Sequence, residues 1–264
     1  MKISASNIGW KKEYDPQMYK WMNEHGIDGL EIAPTRIFAD VPYDHVKEAA
    51  DWALSLYNEY GLKISSMQSI WYGRTESIFG TEEERNILLE YTKKAIDFAH
   101  AIRCKNLVFG CPRNRNMPDG ANEETAVDFF ITLGEYAYQN DTVLAMEANP
   151  PIYNTNFCNT TSDAINFIKR VGSKGFLLNL DVGTMIANAE KTDILKNTQD
   201  IAKMINHVHI SEPGLEKIQR RQLHEDLMGF LKDMAYQRYV SLEVKTQDSP
   251  KSAQDMLEYI LKMA

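Results

Sequence analysis

Short apolar runs alternate with longer amphipathic segments along almost the whole chain, and this alternation limits the fold more than any other feature. The strand-like runs fall at residues 2–7, 29–33, 63–68, 106–110, 142–147, 176–181, 207–210 and 240–244. Helical spacing is clear over Val46–Tyr60, where Ala49, Trp52, Ala53, Leu56 and Tyr57 recur every three to four residues. It continues over residues 81–102, 123–138, 162–171, 223–235 and 253–263, and less distinctly over 192–204. Thr81 followed by Glu84 is a capping-box signature. Gly26, Gly61, Gly172 and Gly175 mark returns from helix to strand. A β-strand followed by a helix, repeated about eight times, is the pattern of a parallel sheet closed into a (β/α)₈ barrel.

One such barrel takes about 250 residues, so the 264 residues here predict a single domain over 1–264. An open doubly wound sheet is the main alternative, but the chain shows no Gly-rich phosphate loop after an early strand. The net charge of −8 speaks against a nucleic-acid partner. Cys104, Cys111 and Cys158 are odd in number and form no CxxC pair, which fits a reducing, cytoplasmic setting. The N-terminus has no signal-peptide layout, and no apolar run reaches the roughly 20 residues that span a bilayer.

In a barrel strand, residues i and i+2 share a face, and inward positions at the C-terminal ends carry function. Glu147 ends Leu144-Ala145-Met146-Glu147, and Asp181 ends Leu178-Asn179-Leu180-Asp181. His207 and His209 share one parity, and Glu243 follows Ser241-Leu242. Four consecutive strands therefore deliver Glu147, Asp181, His209 and Glu243 to one rim. Carboxylates this close repel one another and are costly to bury, and a divalent cation resolves both problems. Three carboxylates and one imidazole suit Mn²⁺, Mg²⁺, Co²⁺ or Zn²⁺, with the carboxylate-rich set leaning to Mn²⁺. His207 lies one pair deeper and reads as a hydrogen-bonded support or core histidine.

Several cations also follow strand ends: Arg36, Arg74, Arg113, Arg115 and Lys245. Such a set can hold an anionic substrate such as a phosphate or carboxylate. Trp10, Phe38, Trp71, Tyr72 and Tyr153 are rim aromatics that can pack on a sugar face or simply pack the loops. Cys111 reads as inert.

At these residues the chain resembles the xylose isomerase-like barrel superfamily, the sugar phosphate isomerase/epimerase group. The resemblance spans nearly the whole chain. It is strongest in Met146-Glu147-Ala148-Asn149, Leu180-Asp181-Val182-Gly183, His207-Val208-His209-Ile210-Ser211-Glu212-Pro213 and Ser241-Leu242-Glu243-Val244-Lys245. Members similar to D-tagatose 3-epimerase hold one metal ion, commonly Mn²⁺, on a Glu-Asp-His-Glu set. The resemblance therefore implies Glu147, Asp181, His209 and Glu243 as ligands, with Glu147 and Glu243 as the acid/base pair. It implies proton transfer next to a sugar carbonyl through a metal-stabilised enediolate. The candidate substrate contacts are Trp10, Gln68, Arg113, Asn149, His224 and Lys245. Relatives are often dimers or tetramers, so a homo-oligomer is a further expectation.

Two positions depart from the pattern. Thr184 stands where many relatives place a His, and Leu215 where several epimerases place an Arg. The endonuclease IV branch of the superfamily binds three zinc ions. His224 matches one of its histidines, but Thr184 and Gln222 replace a His and an Asp, and the ends of strands three and four carry Gln68 and Gly110-Cys111. Six histidines in all make a three-zinc site hard to build. The leading expectation is thus a metal-dependent isomerase or epimerase of carbohydrate metabolism, acting on a sugar or sugar phosphate. A hydrolase or lyase of the endonuclease-like branch and a catalytically silent sugar-binding barrel are the alternatives.

Overall fold

A computed structural model describes residues 1–264. Eight strands, β1 (Lys2–Ser6), β2 (Gly29–Ile32), β3 (Lys63–Met67), β4 (Leu107–Phe109), β5 (Leu144–Glu147), β6 (Phe176–Asp181), β7 (Ile205–Ile210) and β8 (Tyr239–Leu242), pair in sequence order. Every pairing is parallel, and β1 closes the barrel on β8. The helices are α1 (Asp15–Glu24), α2 (Pro34–Ile37), α3 (Val46–Tyr60), α4 (Glu82–Ala101), α5 (Glu124–Gln139) and α6 (Thr161–Val171), followed by α7 (Val182–Ala187), α8 (Asp193–Lys196), α9 (Ile201–Met204), α10 (Gln222–Asp233) and α11 (Pro250–Leu261). None is long and apolar enough to cross a membrane.

Local chemistry sets the main helix starts. At α4 the Thr81 hydroxyl accepts from the Glu84 N–H while the Glu84 carboxylate accepts from the Thr81 N–H. Thr160 and Asp163 make the same reciprocal pair at α6. Each cap contributes about 1 kcal/mol. The C-terminal helix begins at Pro250 rather than at 253, because Pro with its fixed φ follows Ser249 and suits the first helical turn. The stretch expected as one helix over 192–204 is two single-turn helices, α8 and α9, separated by a bend at Asp200 in the left-handed region (φ 58°). The longer helix of this unit is α7, which starts directly after β6 with Asp181 as its N-cap.

The apolar core lies between strands and helices. Ile3, Ala5, Leu30 and Ile32 are buried there with Met18, Met22, Leu56 and Ala49 of the helix layer. Buried polar side chains of the strands hydrogen-bond from one strand to another. Ser4 Oγ lies 2.5 Å from Ser65 Oγ, Asn106 donates to Ser66 Oγ at 3.0 Å, and Asn206 donates to Asn106 Oδ1 at 2.7 Å. Gln68 donates to Ser6 Oγ at 2.7 Å. Hydrogen bonds of this kind rigidify the floor beneath the strand ends. Two register shifts, one between Leu30 and Glu31 and one between Leu178 and Asn179, occur where β2 meets β3 and β6 meets β7. Bulges of this kind re-aim side chains next to functional sites.

Candidate metal centre and active site

The four strand-end residues converge. Glu147, Asp181, His209 and Glu243 each offer one ligand atom, and these atoms all lie within 4.8 Å of one another. His209 Nδ1 is 3.0 Å from Glu147 Oε1 and 3.1 Å from Glu243 Oε2. The donor set is therefore one imidazole and three carboxylates, buried or nearly so, at the end of the barrel where strands present function. Such a set fits a hard or borderline divalent cation. Those four residues would hold the ion.

Three of the four side chains, Asp181, Glu147 and His209, are held from behind. Asp181 Oδ2 caps α7 by accepting from the Thr184 N–H at 2.6 Å, and Asp181 Oδ1 accepts from Ser211 Oγ. Ser211 in turn accepts from the Gly183 N–H at 2.8 Å. Asn179 donates to Glu147 Oε1 at 2.7 Å, and Arg115 donates to the Glu147 carbonyl at 2.8 Å. His209 Nε2 faces Glu31 Oε2 at 2.8 Å, and His207 Nε2 lies 2.8 Å from Ser241 Oγ. Two glycines leave room for this packing. A Cβ at Gly110 would stand 2.9 Å from Glu147 Oε2, and one at Gly183 would stand 2.6 Å from Ser211 Oγ and 3.1 Å from Asp181 Oδ2.

Electrostatics follow from burial and crowding. Burial pushes the Glu243 carboxyl up to about 7, against the pull of His209. Burial and the Glu147 charge push Asp181 up to about 6, although Ser211 and Thr184 hydrogen-bond its anion. Burial opposes the His209 charge, but Glu243, Glu31 and Glu147 raise its pKa well above the ordinary imidazole value. Burial also opposes the Glu31 charge, yet His209 and His207 outweigh it and keep Glu31 ionised. A cation binding here must displace protons from carboxyls whose pKa values are raised to about 6 and about 7. Mn²⁺ affinity is therefore expected to rise steadily between pH 5.5 and 8. Below this window Asp181 and Glu243 carry protons, and His209 must also release one. Titration calorimetry at several pH values checks this, and a flat affinity would contradict it.

Above the four residues lies a cavity of about 220 Å³. Of the expected substrate contacts, Gln68 and Asn149 line it, together with the candidate ligands Glu147, Asp181 and Glu243. Trp10, Arg113, His224 and Lys245 do not line it. Trp10 is buried (1% exposed) and donates its indole N–H to Asp15 at 2.8 Å. His224 is buried on α10, 3.2 Å from the Tyr259 hydroxyl, and burial pushes it down to about 4. Lys245 pairs with Glu216, and Arg113 is exposed on the loop after β4. The other rim cations are also engaged within the protein. Arg36 pairs with Asp15 at 2.7 Å, Arg74 with Glu76, and Arg115 is buried against carbonyls. The cavity wall accordingly carries three carboxylates and no Lys or Arg.

Among the rim aromatics Tyr153 alone lines the cavity, and its hydroxyl accepts from the Gly214 N–H at 2.8 Å. Leu215, the departure from the epimerase pattern, lines the cavity, whereas Thr184 is buried and donates to the Ala148 carbonyl at 2.7 Å. Cys111 is also in the wall, and burial pushes its thiol up to about 12, so it stays protonated. A larger groove of about 480 Å³ lies between α3 and the loop after α4, remote from the carboxylates. Glu31, Asn179 and Ser211 were not assigned roles from sequence. The available signal was a charged or amide residue on the inward parity of an apolar strand, which is expensive unless it is paired.

A family model described as xylose isomerase-like TIM barrel matches residues 19–263. No curated protein sequence matches the chain. Among solved structures, 3-keto-D-glucoside 4-epimerase from E. coli is 20% identical with a TM-score of 0.76, covering 99% of both chains. D-Psicose 3-epimerase from Clostridium cellulolyticum H10, solved with D-tagatose, is 13% identical with a TM-score of 0.79, covering 100% of this chain and 99% of its own. The IOLI protein with its zinc atom is 15% identical with a TM-score of 0.71, covering 99% and 98%. At these identities the likeness is one of fold.

Proposed function

We propose that this chain, which belongs to the xylose isomerase-like TIM barrel family, is a divalent-metal-dependent epimerase or isomerase of a neutral sugar. One observation carries the reading. Glu147 and Glu243 both reach the same His209 nitrogen, at 3.0 and 3.1 Å, and both line one small cavity. Two carboxylates around one substrate-sized space can take a proton from one face of a carbon and return it on the other.

When bound, the ion would polarise adjacent carbonyl and hydroxyl oxygens of the sugar and neutralise charge that develops on them. The residues of the chain do the rest. One glutamate removes the proton next to the carbonyl and the other delivers a proton on the opposite face. Asn179 and Arg115 hold Glu147 in place, by its carboxylate and its carbonyl respectively. Gln68 and Asn149 present amide groups to sugar hydroxyls, and Tyr153 offers an apolar ring face. Mn²⁺ suits the carboxylate-rich donor set, and Mg²⁺, Co²⁺ and Zn²⁺ remain compatible with it.

The absence of a Lys or Arg from the wall supports an uncharged substrate over a sugar phosphate. The free cysteines support a reducing, cytoplasmic setting. The test is solvent exchange. Protein loaded with Mn²⁺ is incubated in D₂O with a panel of neutral ketoses and aldoses and their phosphates, and deuterium next to the carbonyl is read by mass spectrometry. Incorporation into a neutral sugar supports the reading. Incorporation confined to the phosphates, or into no sugar at all, would contradict it.

A further inference from the structure

Beneath the metal centre sits a carboxylate that the proposed chemistry does not use. Glu31 lies within β2 and is 0% exposed. Its Oε2 is 2.8 Å from His209 Nε2 and 3.3 Å from His207 Nε2, and its Oε1 has no hydrogen-bond partner. Burying a carboxylate costs several kcal/mol unless it is paired and hydrogen-bonded. An ionised carboxylate only accepts, so the short contact to His209 Nε2 places an N–H on that nitrogen. The other ring nitrogen, Nδ1, is the one that faces Glu147 and Glu243.

We propose that Glu31 is the positioning residue of the metal centre, holding His209 in the Nε2–H tautomer so that Nδ1 keeps its lone pair for the ion. The inference rests on the reading of Glu147, Asp181, His209 and Glu243 as one metal site. His207 completes the arrangement. Its Nε2 stands between Glu31 and Ser241 Oγ, and its ring meets the His209 ring edge-on at 5.3 Å, which keeps Glu31 from swinging away. Glu31 crosses the barrel from β2 to β7, so the floor of the site is tied to the opposite wall. A carboxylate behind a ligating imidazole both fixes the ring and raises its basicity, and losing such a partner weakens metal affinity about 10- to 100-fold.

The same atoms offer a competing use. Glu31, His207 and His209 also form a three-residue cluster with ligand atoms within 4.8 Å, which a second ion could occupy. The 2.8 Å separation of His209 Nε2 from Glu31 Oε2 is that of a hydrogen bond, which favours the positioning role.

The experiment measures Mn²⁺ dissociation constants and stoichiometry for wild type, Glu31→Gln and Asp181→Ala, with circular dichroism to confirm folding. One ion per wild-type chain and an affinity about 10- to 100-fold weaker in Glu31→Gln is the expected result. Equal affinities in wild type and Glu31→Gln would overturn the Glu31 role and leave the four-residue site standing. A wild type that binds no ion would overturn both. Because Glu31→Gln can fail to fold, the wild type is also examined by ¹⁵N-histidine NMR loaded with diamagnetic Zn²⁺. A proton on His209 Nε2 supports the proposal. A proton on Nδ1, or two ions per chain with Nε2 deprotonated, overturns it.

Discussion

Glu147→Gln and Glu243→Gln are each expected to lower turnover about 10²- to 10⁴-fold while the barrel stays folded. Gln keeps the size of the side chain and removes its ability to take or deliver a proton. The two variants should differ in metal retention. Glu147 keeps support from Asn179 at 2.7 Å, whereas the only side-chain hydrogen-bonding partner of Glu243 is His209 at 3.1 Å. Rates measured at saturating Mn²⁺ separate lost proton transfer from lost metal. Double substitution should cost little more than either single one, because residues that act as a unit are not additive. Retained turnover in either single variant would remove that glutamate from the acid/base pair.

The second large effect concerns stability. Arg115 is 0% exposed, with Nη1 donating to the Glu147 carbonyl at 2.8 Å and Nη2 reaching the Cys158 carbonyl at 3.5 Å. Its Nε has no partner, and no carboxylate lies within ion-pair distance of it. Burial pulls its pKa below the ordinary guanidinium value. Arg115→Ala leaves a cavity and an unpaired buried carbonyl behind Glu147. The expected loss is about 3–5 kcal/mol, read from urea unfolding. Arg115→Met fills most of the volume, drops the buried charge and leaves the carbonyl unpaired, so about 1–3 kcal/mol is expected. Loss of under about 0.5 kcal/mol in Arg115→Ala would mean that the guanidinium holds nothing.

How much of this was readable beforehand depends on which physical signal each residue carries. The strands and their order follow from apolar runs separated by amphipathic helices, and all eight appear close to where periodicity puts them. Glu147, Asp181 and His209 end or nearly end strands whose parity alternates cleanly, so their convergence could be read from spacing two residues at a time. Glu243 lies just past β8, and the same parity carries it inward.

Glu31 was missed because it sits in a four-residue strand that is buried on both faces, where alternation has no contrast to show. The segment between β6 and β7 defeated periodicity for a different reason. Its helices are one or two turns long, broken at Ala189 and Asp200 in left-handed conformations, and too short to repeat a pattern. Arg113 and Arg115 are indistinguishable in sequence, yet one is exposed and the other fully buried. The difference arises from the left-handed turn at Cys111 (φ 43°) and the single-turn helix that follows it. Rim cations suggested an anionic substrate only while their partners were unknown. Asp15, Glu76 and Glu216 take up Arg36, Arg74 and Lys245; the first pair joins the start of α1 to α2, and the other two come from loops whose paths periodicity does not specify.

If four strand ends build one metal site, the metal content per chain reveals it. Wild type and Asp181→Ala are purified without added metal or chelator, reconstituted with Mn²⁺, Co²⁺ or Zn²⁺, desalted, and assayed for metal by plasma mass spectrometry. About one ion per wild-type chain and near-complete loss in Asp181→Ala are expected, since that carboxylate is one of four donors. Wild type that stays metal-free after reconstitution, or Asp181→Ala that holds as much metal as wild type, would contradict the four-residue site.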